Sequence, residues 1–139
     1  MSRTIRFGVS LNDRLLKDFD RLISGRNYKN RSQAIADLIR DSLIERDWQF
    51  KNKRVAAIIG LVYDHHRRDL VNKIVDIQHD FQKLVISTQH IHLDHKNCLE
   101  IIAAKGQAQA IVGLAHKLRA VKGIKHASFT TTTSGKKLI

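Results

Sequence analysis

The chain has 139 residues and a formal net charge of +12 at pH 7, which favours a polyanionic partner such as nucleic acid or an anionic membrane. Its length allows one domain or two small ones. The single cysteine excludes an intramolecular disulfide, and the apolar run over residues 55–62 is too short to cross a bilayer. Because residues 1–6 also lack the apolar stretch of a signal peptide, we expect a cytoplasmic protein with no membrane partner.

Residues 5–11 alternate between apolar and polar side chains, which is the period of a strand with one buried face. Apolar residues at helical spacing follow over residues 15–23 and 35–44. A glycine-containing break separates these two stretches, and Asn30 or Ser32 can cap the second one. The first part of the chain is therefore predicted to form a strand followed by two helices.

A single strand and two short helices are too few to bury a core, so we expect the N-terminal strand to pair with that of a second copy. Two antiparallel strands form a ribbon narrow enough for the DNA major groove. Arg6, Gly8 and Ser10 would face the base edges, although Gly8 brings no side chain to them. An alternating strand is also common as a solvated surface, but the strong positive charge of the chain favours DNA binding.

The two parts of the chain differ in chemistry, because all eight histidines lie between His65 and His126. Helical periodicity is lost over residues 45–54, which end in a basic cluster. We therefore predict a DNA-binding domain over residues 1–50 and a second domain over residues 51–139.

The second domain is predicted to be α+β with the element order βαββαβ. Its first apolar run suits a strand buried on both faces or in a tight oligomer. The order is that of the ferredoxin-like fold, in which four antiparallel strands carry two helices on one face. The predicted elements are a strand at 55–63, a helix at 70–77, hairpin strands at 84–91 and 99–104 around a turn at 93–97, a helix at 111–118, a strand from 121, and a polar tail at 130–135.

Three histidines and the only cysteine fall within a short stretch of this domain, at His79, His90, His92 and Cys98. Residues i and i+2 of a strand point to the same side about 7 Å apart, so His90 and His92 can bind one ion while Ile91 packs inward. Cys98 lies across the turn, and His79 can complete the set from its own or a neighbouring subunit. The hairpin is therefore a candidate metal site.

Nitrogen and sulfur ligands do not by themselves select the metal. A planar arrangement suits Ni(II) or Cu(II), a tetrahedral arrangement suits Zn(II), and intrinsic affinity favours copper. The alternative without a metal is that the two strand histidines are an exposed pair and that Cys98 is a small buried hydrophobic residue. The presence of Cys98 and His79 beside the pair favours metal binding.

The whole chain resembles the nickel-responsive transcriptional regulators, which join a ribbon-helix-helix domain to a ferredoxin-like, ACT-type metal domain. The resemblance is carried by residues 30–35, 62–70, 77–79, 90–92 and 97–100. It implies a homotetramer, a dimer of dimers, that binds a palindromic DNA operator and represses nickel-uptake genes when Ni(II) is bound. By the same resemblance, the Ni(II) ligands are His90, His92 and Cys98 of one subunit and His79 of its neighbour.

The resemblance also suggests DNA contacts outside the ribbon. Arg31 lies at the start of the second helix, and in members of the family the N-terminus of this helix binds a DNA phosphate. Arg67 and Arg68 match a basic pair that can touch DNA phosphate, although a basic loop is more often only solvated.

Two further cation sites are suggested in the same way. Gln33 and Asp37 occupy positions where the family has two carboxylates that bind potassium, but Gln33 is an amide, so a plain salt bridge at Asp37 is the competing explanation. His65 and His66 could form a secondary metal site or a surface pair.

Other classes of function use the same residues. A metal store or chaperone would need the four ligands without the DNA-binding ribbon, and a related regulator could respond to another divalent metal. An enzyme with Cys98 as nucleophile is a third class, but no phosphate-binding glycine motif or oxyanion-hole loop accompanies the thiol. We therefore predict that the protein is not an enzyme, and we assign no role to His95, His116 and His126.

Overall fold

The computed structural model describes residues 2–49 and 53–136, in two compact units, Met1–Asp41 and Ser42–Ile139. The division falls within the second helix. The boundary predicted near residue 50 stays a prediction, and residues 50–52 lie outside the described part of the chain. None of the described helices combines the length and apolar character needed to cross a lipid bilayer.

Two helices follow the N-terminal segment, α1 over Asp13–Gly25 and α2 over Arg31–Gln49. The side chain of Asn12 accepts a hydrogen bond from the backbone N–H of Arg14 at the start of α1. At the start of α2, the side chain of Asn30 accepts one from the backbone N–H of Gln33, as its position predicts. Both helices therefore begin at residues that satisfy otherwise unpaired N–H groups.

The strand predicted over residues 5–11 is not formed in the single chain, where residues 2–12 have no regular secondary structure. The physical reason is that a strand needs a hydrogen-bonded partner, and none of the described residues supplies one. The apolar side chains of this segment are exposed, with Ile5 at 71%, Phe7 at 69% and Val9 at 58% of their full accessible area.

The second unit contains a four-stranded sheet with the order β2-β3-β1-β4, in which all neighbouring strands are antiparallel. This confirms the predicted α+β class and the element order βαββαβ. The elements are β1 Arg54–Asp64, α3 Arg68–Asp80, β2 Val85–His92, β3 Asn97–Gln107, α4 Ala108–Arg119 and β4 His126–Thr132.

The end of the chain departs from the prediction. The last strand begins at His126 instead of residue 121, and it includes Thr130 to Thr132, which the composition had suggested to be a polar tail. Thr130 pairs with Ile58 of β1 and Thr132 with Ala56. Threonine is β-branched and suits a strand, so pairing with the central β1 decided the structure of this segment.

The core lies between one face of the sheet and the two helices. Along β1 the odd-numbered residues from Val55 to Tyr63 are buried, and they pack with Leu70 and Ile74 of α3 and with Ile111, Leu114 and Leu118 of α4. The opposite face is open, and Ile58 is 46% exposed. Of the two expected alternatives, burial of β1 on both faces is therefore wrong for the single chain, and burial in a tight oligomer stays a prediction.

Candidate metal centre

The hairpin that carries most of the predicted ligands is held by the side chain of Asp94. One oxygen of this carboxylate accepts hydrogen bonds from the backbone N–H groups of Lys96, at 2.8 Å, and Asn97, at 2.7 Å. The other oxygen accepts one from the Asn97 side chain at 3.0 Å. These bonds, led by the backbone N–H of Asn97, lower the pKa of Asp94 to about 2. The turn predicted at 93–97 is thus formed and fixes the pairing of β2 with β3.

That pairing places the predicted ligands on one face of the sheet. His92 lies opposite Cys98, and His90 lies opposite Glu100. Directly opposed residues of antiparallel strands share a face, so these four side chains point toward the side that the helices cover. Ile91 pairs with Leu99 and lies on the open face. The expectation that Ile91 packs inward is therefore wrong.

A third histidine joins the two on β2. His65 directly follows β1, and its ring centroid lies 4.8 Å from that of His92 and 6.4 Å from that of His90. Among the described residues, the ligand nitrogens of His65, His90 and His92 form one group, all within 4.8 Å of one another. Metal–imidazole bonds of about 2.0–2.1 Å put the nitrogens on one ion at most about 4.2 Å apart, so small side-chain rotations would bring this group onto an ion.

The protonation of His65 also suits a metal ligand. Burial lowers the pKa of His65, and repulsion from His66, His92 and His90 lowers it further. Only the neutral imidazole has a lone pair for a metal ion, so the crowding of the rings favours the metal-binding form of His65.

Cys98 and His79 do not belong to this group within one chain. Cys98 is fully buried, and its thiol donates a hydrogen bond to the backbone carbonyl of Tyr63 over 3.5 Å. Burial raises the pKa of this thiol, so a bound cation would have to stabilise its thiolate. His79 lies in the last turn of α3 with its side chain exposed.

A buried polar network lies beneath the histidines. The Tyr63 hydroxyl donates a hydrogen bond to Glu100 Oε2 at 3.1 Å and lies 3.5 Å from His90 Nδ1. Burial and the Glu100 charge strongly raise the pKa of Tyr63, so this hydroxyl remains a donor. Sequence reasoning did not single out Tyr63 or Glu100. The available signal was an acidic residue at a position of β3 where its neighbours on the same face are apolar.

The residues predicted to contact DNA through the ribbon are Arg6, Gly8 and Ser10, and all three are exposed. Arg31 already makes a bidentate ion pair, with its Nε and one terminal nitrogen each 2.9 Å from an oxygen of Asp20. This hydrogen-bonded pair lowers the pKa of Asp20.

The two arginines at the start of α3, Arg67 and Arg68, differ in their contacts. Arg67 immediately precedes α3, and its guanidinium donates to Asp69 at 3.3 Å. Arg68 is the first residue of α3 and is exposed. Both residues belong to the second unit and closely follow His65 and His66 in the chain.

The two candidate secondary cation positions are also occupied by internal contacts. The Asp37 carboxylate accepts hydrogen bonds from the Tyr28 hydroxyl at 2.6 Å and from Arg40 at 2.8 Å. The backbone N–H of Gln33 donates to the side chain of Asn30, which caps α2. His66 donates its backbone N–H to Asp64 at 3.0 Å, and its ring lies 5.6 Å from that of His95. The His65 ring nitrogen lies 3.1 Å from the backbone carbonyl of His95.

The sequence of the chain is similar to those of known proteins. Residues 56–132 match the family described as the NikR C terminal nickel binding domain. A relative from Syntrophus aciditrophicus is 55% identical over 97% of this chain and 98% of its own length. Relatives from Chlorobium limicola and Chlorobaculum tepidum are 50% and 48% identical, over 97% and 96% of this chain and 100% and 99% of their own lengths. All three are provisionally named nickel-responsive regulators.

A solved structure shares the fold at low identity. An uncharacterized protein from Thermotoga maritima is similar with a TM-score of 0.52 and 14% identity, covering 57% of this chain and 98% of that one.

The nickel-binding family matches more than half of the chain, and the relatives match it over nearly its full length. The chain therefore belongs to the family of nickel-responsive regulators.

Proposed function

We propose that this protein is a nickel-responsive transcriptional regulator that binds a palindromic DNA operator more tightly when Ni(II) is bound, and so represses nickel-uptake genes. The observation that carries the proposal is the position of His90 and His92, which share a face of the hairpin with Cys98 inside a domain of the nickel-binding family. A regulator of this kind acts on genomic DNA, so we place it in the cytoplasm and assign it no catalytic activity.

We propose that Ni(II) is held by His90, His92 and Cys98 of one protomer and by His79 of another. His79 is exposed on α3 and lies outside the group of imidazoles in its own chain, so its ring is accessible to a second protomer. A metal that joins residues of two protomers favours the assembly in which they are adjacent, and this links metal binding to assembly. His65, which lies beside His90 and His92, is the competing ligand from the same chain.

The proposed assembly is a homotetramer, a dimer of dimers, built on two apolar surfaces. The N-terminal segment exposes Ile5, Phe7 and Val9, which two antiparallel copies would bury as the ribbon of a ribbon-helix-helix domain over residues 1–50. The open face of the sheet exposes Ile58 and half-buries Leu99 and Ile101, which suits contact between ACT-type domains over residues 51–139.

The proposed DNA contacts divide into two kinds. Arg6 and Ser10 would reach base edges from the ribbon, with the backbone at Gly8 close to the groove. Arg31, Arg67 and Arg68 would contact phosphates, and the pairing of Arg31 with Asp20 holds that guanidinium beside the start of α2.

The function is tested by measuring operator affinity while Ni(II) is titrated at fixed salt. We expect affinity to rise at least tenfold with nickel, and the Arg6→Ala variant to lose preference for operator over unrelated DNA. A protein that binds nickel but no specific DNA would be a metal store. Equal DNA affinity with and without nickel would contradict the regulatory mechanism.

The ligand set is tested by four matched histidine or cysteine variants of the full chain. Cys98→Ala should abolish the thiolate-to-nickel charge-transfer absorption, and His79→Ala should weaken nickel binding and the nickel-dependent assembly together. His65→Ala should leave the charge-transfer band in place, and His95→Ala is the control. Loss of the band in His65→Ala with retention in His79→Ala would replace His79 by His65 in the ligand set.

A further inference from the structure

A basic cleft lies at the end of the sheet away from the histidines. Its lining residues come from α2, the start of β1, the end of β3 and the segment after β4, and the cleft has a volume of about 290 Å³. β1 has 11 residues, so at about 3.3 Å per residue its two ends are roughly 33 Å apart. The cleft is therefore distinct from the candidate metal centre. It is lined by Asp47, Lys53, Arg54, Lys105, Thr133, Ser134 and Lys136.

Strand register explains why these residues converge. β1 lies between β3 and β4, and Ala56 of β1 pairs with Lys105 on one side and with Thr132 on the other. Arg54 lies two residues before Ala56 on the same strand, so its side chain shares a face with that of Lys105. The chain continues from Thr132 into Thr133 and Ser134, which brings two hydroxyl groups to the same place.

The cleft gathers four cationic side chains against the single carboxylate of Asp47. All four cations are exposed, and among the residues that the structure describes no ion pair joins any of them to a carboxylate. Like charges held near one another repel, and an anion placed among them removes that repulsion. Hydroxyl groups beside lysine and arginine complete a donor set that matches the oxygens of a phosphate.

We propose that this cleft binds a phosphate group, held by Arg54 and Lys105 with help from Lys53, Lys136 and the two hydroxyls. Its volume is at the small end of ligand sites, which suits one or two phosphate groups better than a large organic molecule. The phosphate can belong to a DNA backbone or to a small free phosphate compound, since both present the same oxygens. The site does not depend on nickel.

The test is calorimetric titration of the full-length protein with inorganic phosphate and then pyrophosphate at low ionic strength. We expect Lys105→Gln to weaken binding about tenfold, as the loss of one charge-assisted contact would. Lys73→Gln removes one exposed positive charge from α3, outside the cleft, and should leave the affinity unchanged. Asp47→Asn should tighten binding, because it removes the only carboxylate among the described lining residues.

The Lys73→Gln control separates a phosphate site from a general response to net charge, and the gain expected for Asp47→Asn separates it from a loss of folding. Phosphate affinity that is equal in wild type, Lys105→Gln and Lys73→Gln, or that falls in Asp47→Asn, would overturn the proposal.

DNA-binding measurements then decide whether the phosphate group belongs to a DNA backbone or to a small free compound. If the backbone occupies the cleft, Lys105→Gln weakens binding to every DNA sequence, lowers the salt slope by about 0.9, and phosphate competes. Unchanged DNA binding assigns the cleft to a free phosphate compound.

Discussion

The hydroxyl of Tyr63 donates a hydrogen bond to the buried carboxylate of Glu100, and the same oxygen lies 3.5 Å from His90 Nδ1. A carboxylate that is only 7% exposed needs such a donor, because a buried acceptor without a partner costs free energy. The pair therefore connects the core of the sheet to the orientation of a candidate ligand.

We expect Tyr63→Phe to lower both stability and nickel affinity. Loss of the donor to Glu100 should reduce the free energy of unfolding by about 1–3 kcal/mol, measured by urea denaturation. Loss of a group that orients a ligand should weaken nickel binding about 10–100-fold in a competition titration. The control is Tyr28→Phe, which removes the other tyrosine hydroxyl of the chain. Equal nickel affinity in both variants would show that Tyr63 does not position His90.

Two glycine substitutions should act in opposite directions. Gly106 has φ +155°, and a Cβ there would lie 2.6 Å from Leu84 Cδ2. Gly106→Ala should therefore destabilise the protein. Gly113 lies in α4 with open space around it, so Gly113→Ala should stabilise by up to about 1 kcal/mol through helix propensity. The melting temperatures of both variants test these predictions. A Gly106→Ala protein that melts at or above the wild-type temperature would contradict the first one.

The core under the sheet should be sensitive to truncation. Leu114 of α4 is fully buried, so Leu114→Ala should cost about 2–5 kcal/mol. Val75 of α3 is 54% exposed, and Val75→Ala should change stability by less than about 0.5 kcal/mol. Fluorescence of the single tryptophan is a suitable probe, because the Trp48 ring nitrogen donates to the Thr132 carbonyl at 2.9 Å. Equal midpoints in urea for the two variants would place Leu114 outside the stabilising core.

Acid should weaken the first unit through Asp37. The hydrogen bond from Tyr28 and then the contact with Arg40 lower the pKa of this carboxyl below its usual 3.8. A lowered folded pKa gives stability that is present above the unfolded value and lost as pH falls through the folded value. Helix content followed by circular dichroism should therefore fall below about pH 4, and Asp37→Asn should remove that part of the pH dependence. Identical acid curves for wild type and Asp37→Asn would exclude this role.

The occupied Asp37 also bears on a second cation. Tyr28 and Arg40 already satisfy the carboxylate, and Gln33 brings an amide to the other family position. We expect the stability of the protein to be the same in potassium and in sodium salts of equal ionic strength. A marked rise in the melting temperature with potassium would indicate a cation site there.

The chain by itself determined the order of the elements and the local chemistry. In the second unit, an apolar run and helical spacing predicted βαββαβ, the polar residues 93–97 predicted the hairpin turn, and the spacing of His90 and His92 put both on one face. These features depend on residues near one another in sequence, where backbone periodicity is sufficient. The resemblance to a known family added the expected identity of the metal, Ni(II), and the expected origin of His79 in a neighbouring subunit.

Tertiary structure decided what depends on contacts between distant residues. The pairing of β1 with β3 and β4 turned a threonine-rich segment into a strand and placed Tyr63 beside Glu100. The packing of the loop after β1 brought His65 to His90 and His92, which no spacing rule connects. Strand register and core packing set these positions, because a shift of one residue reverses the face on which every side chain lies.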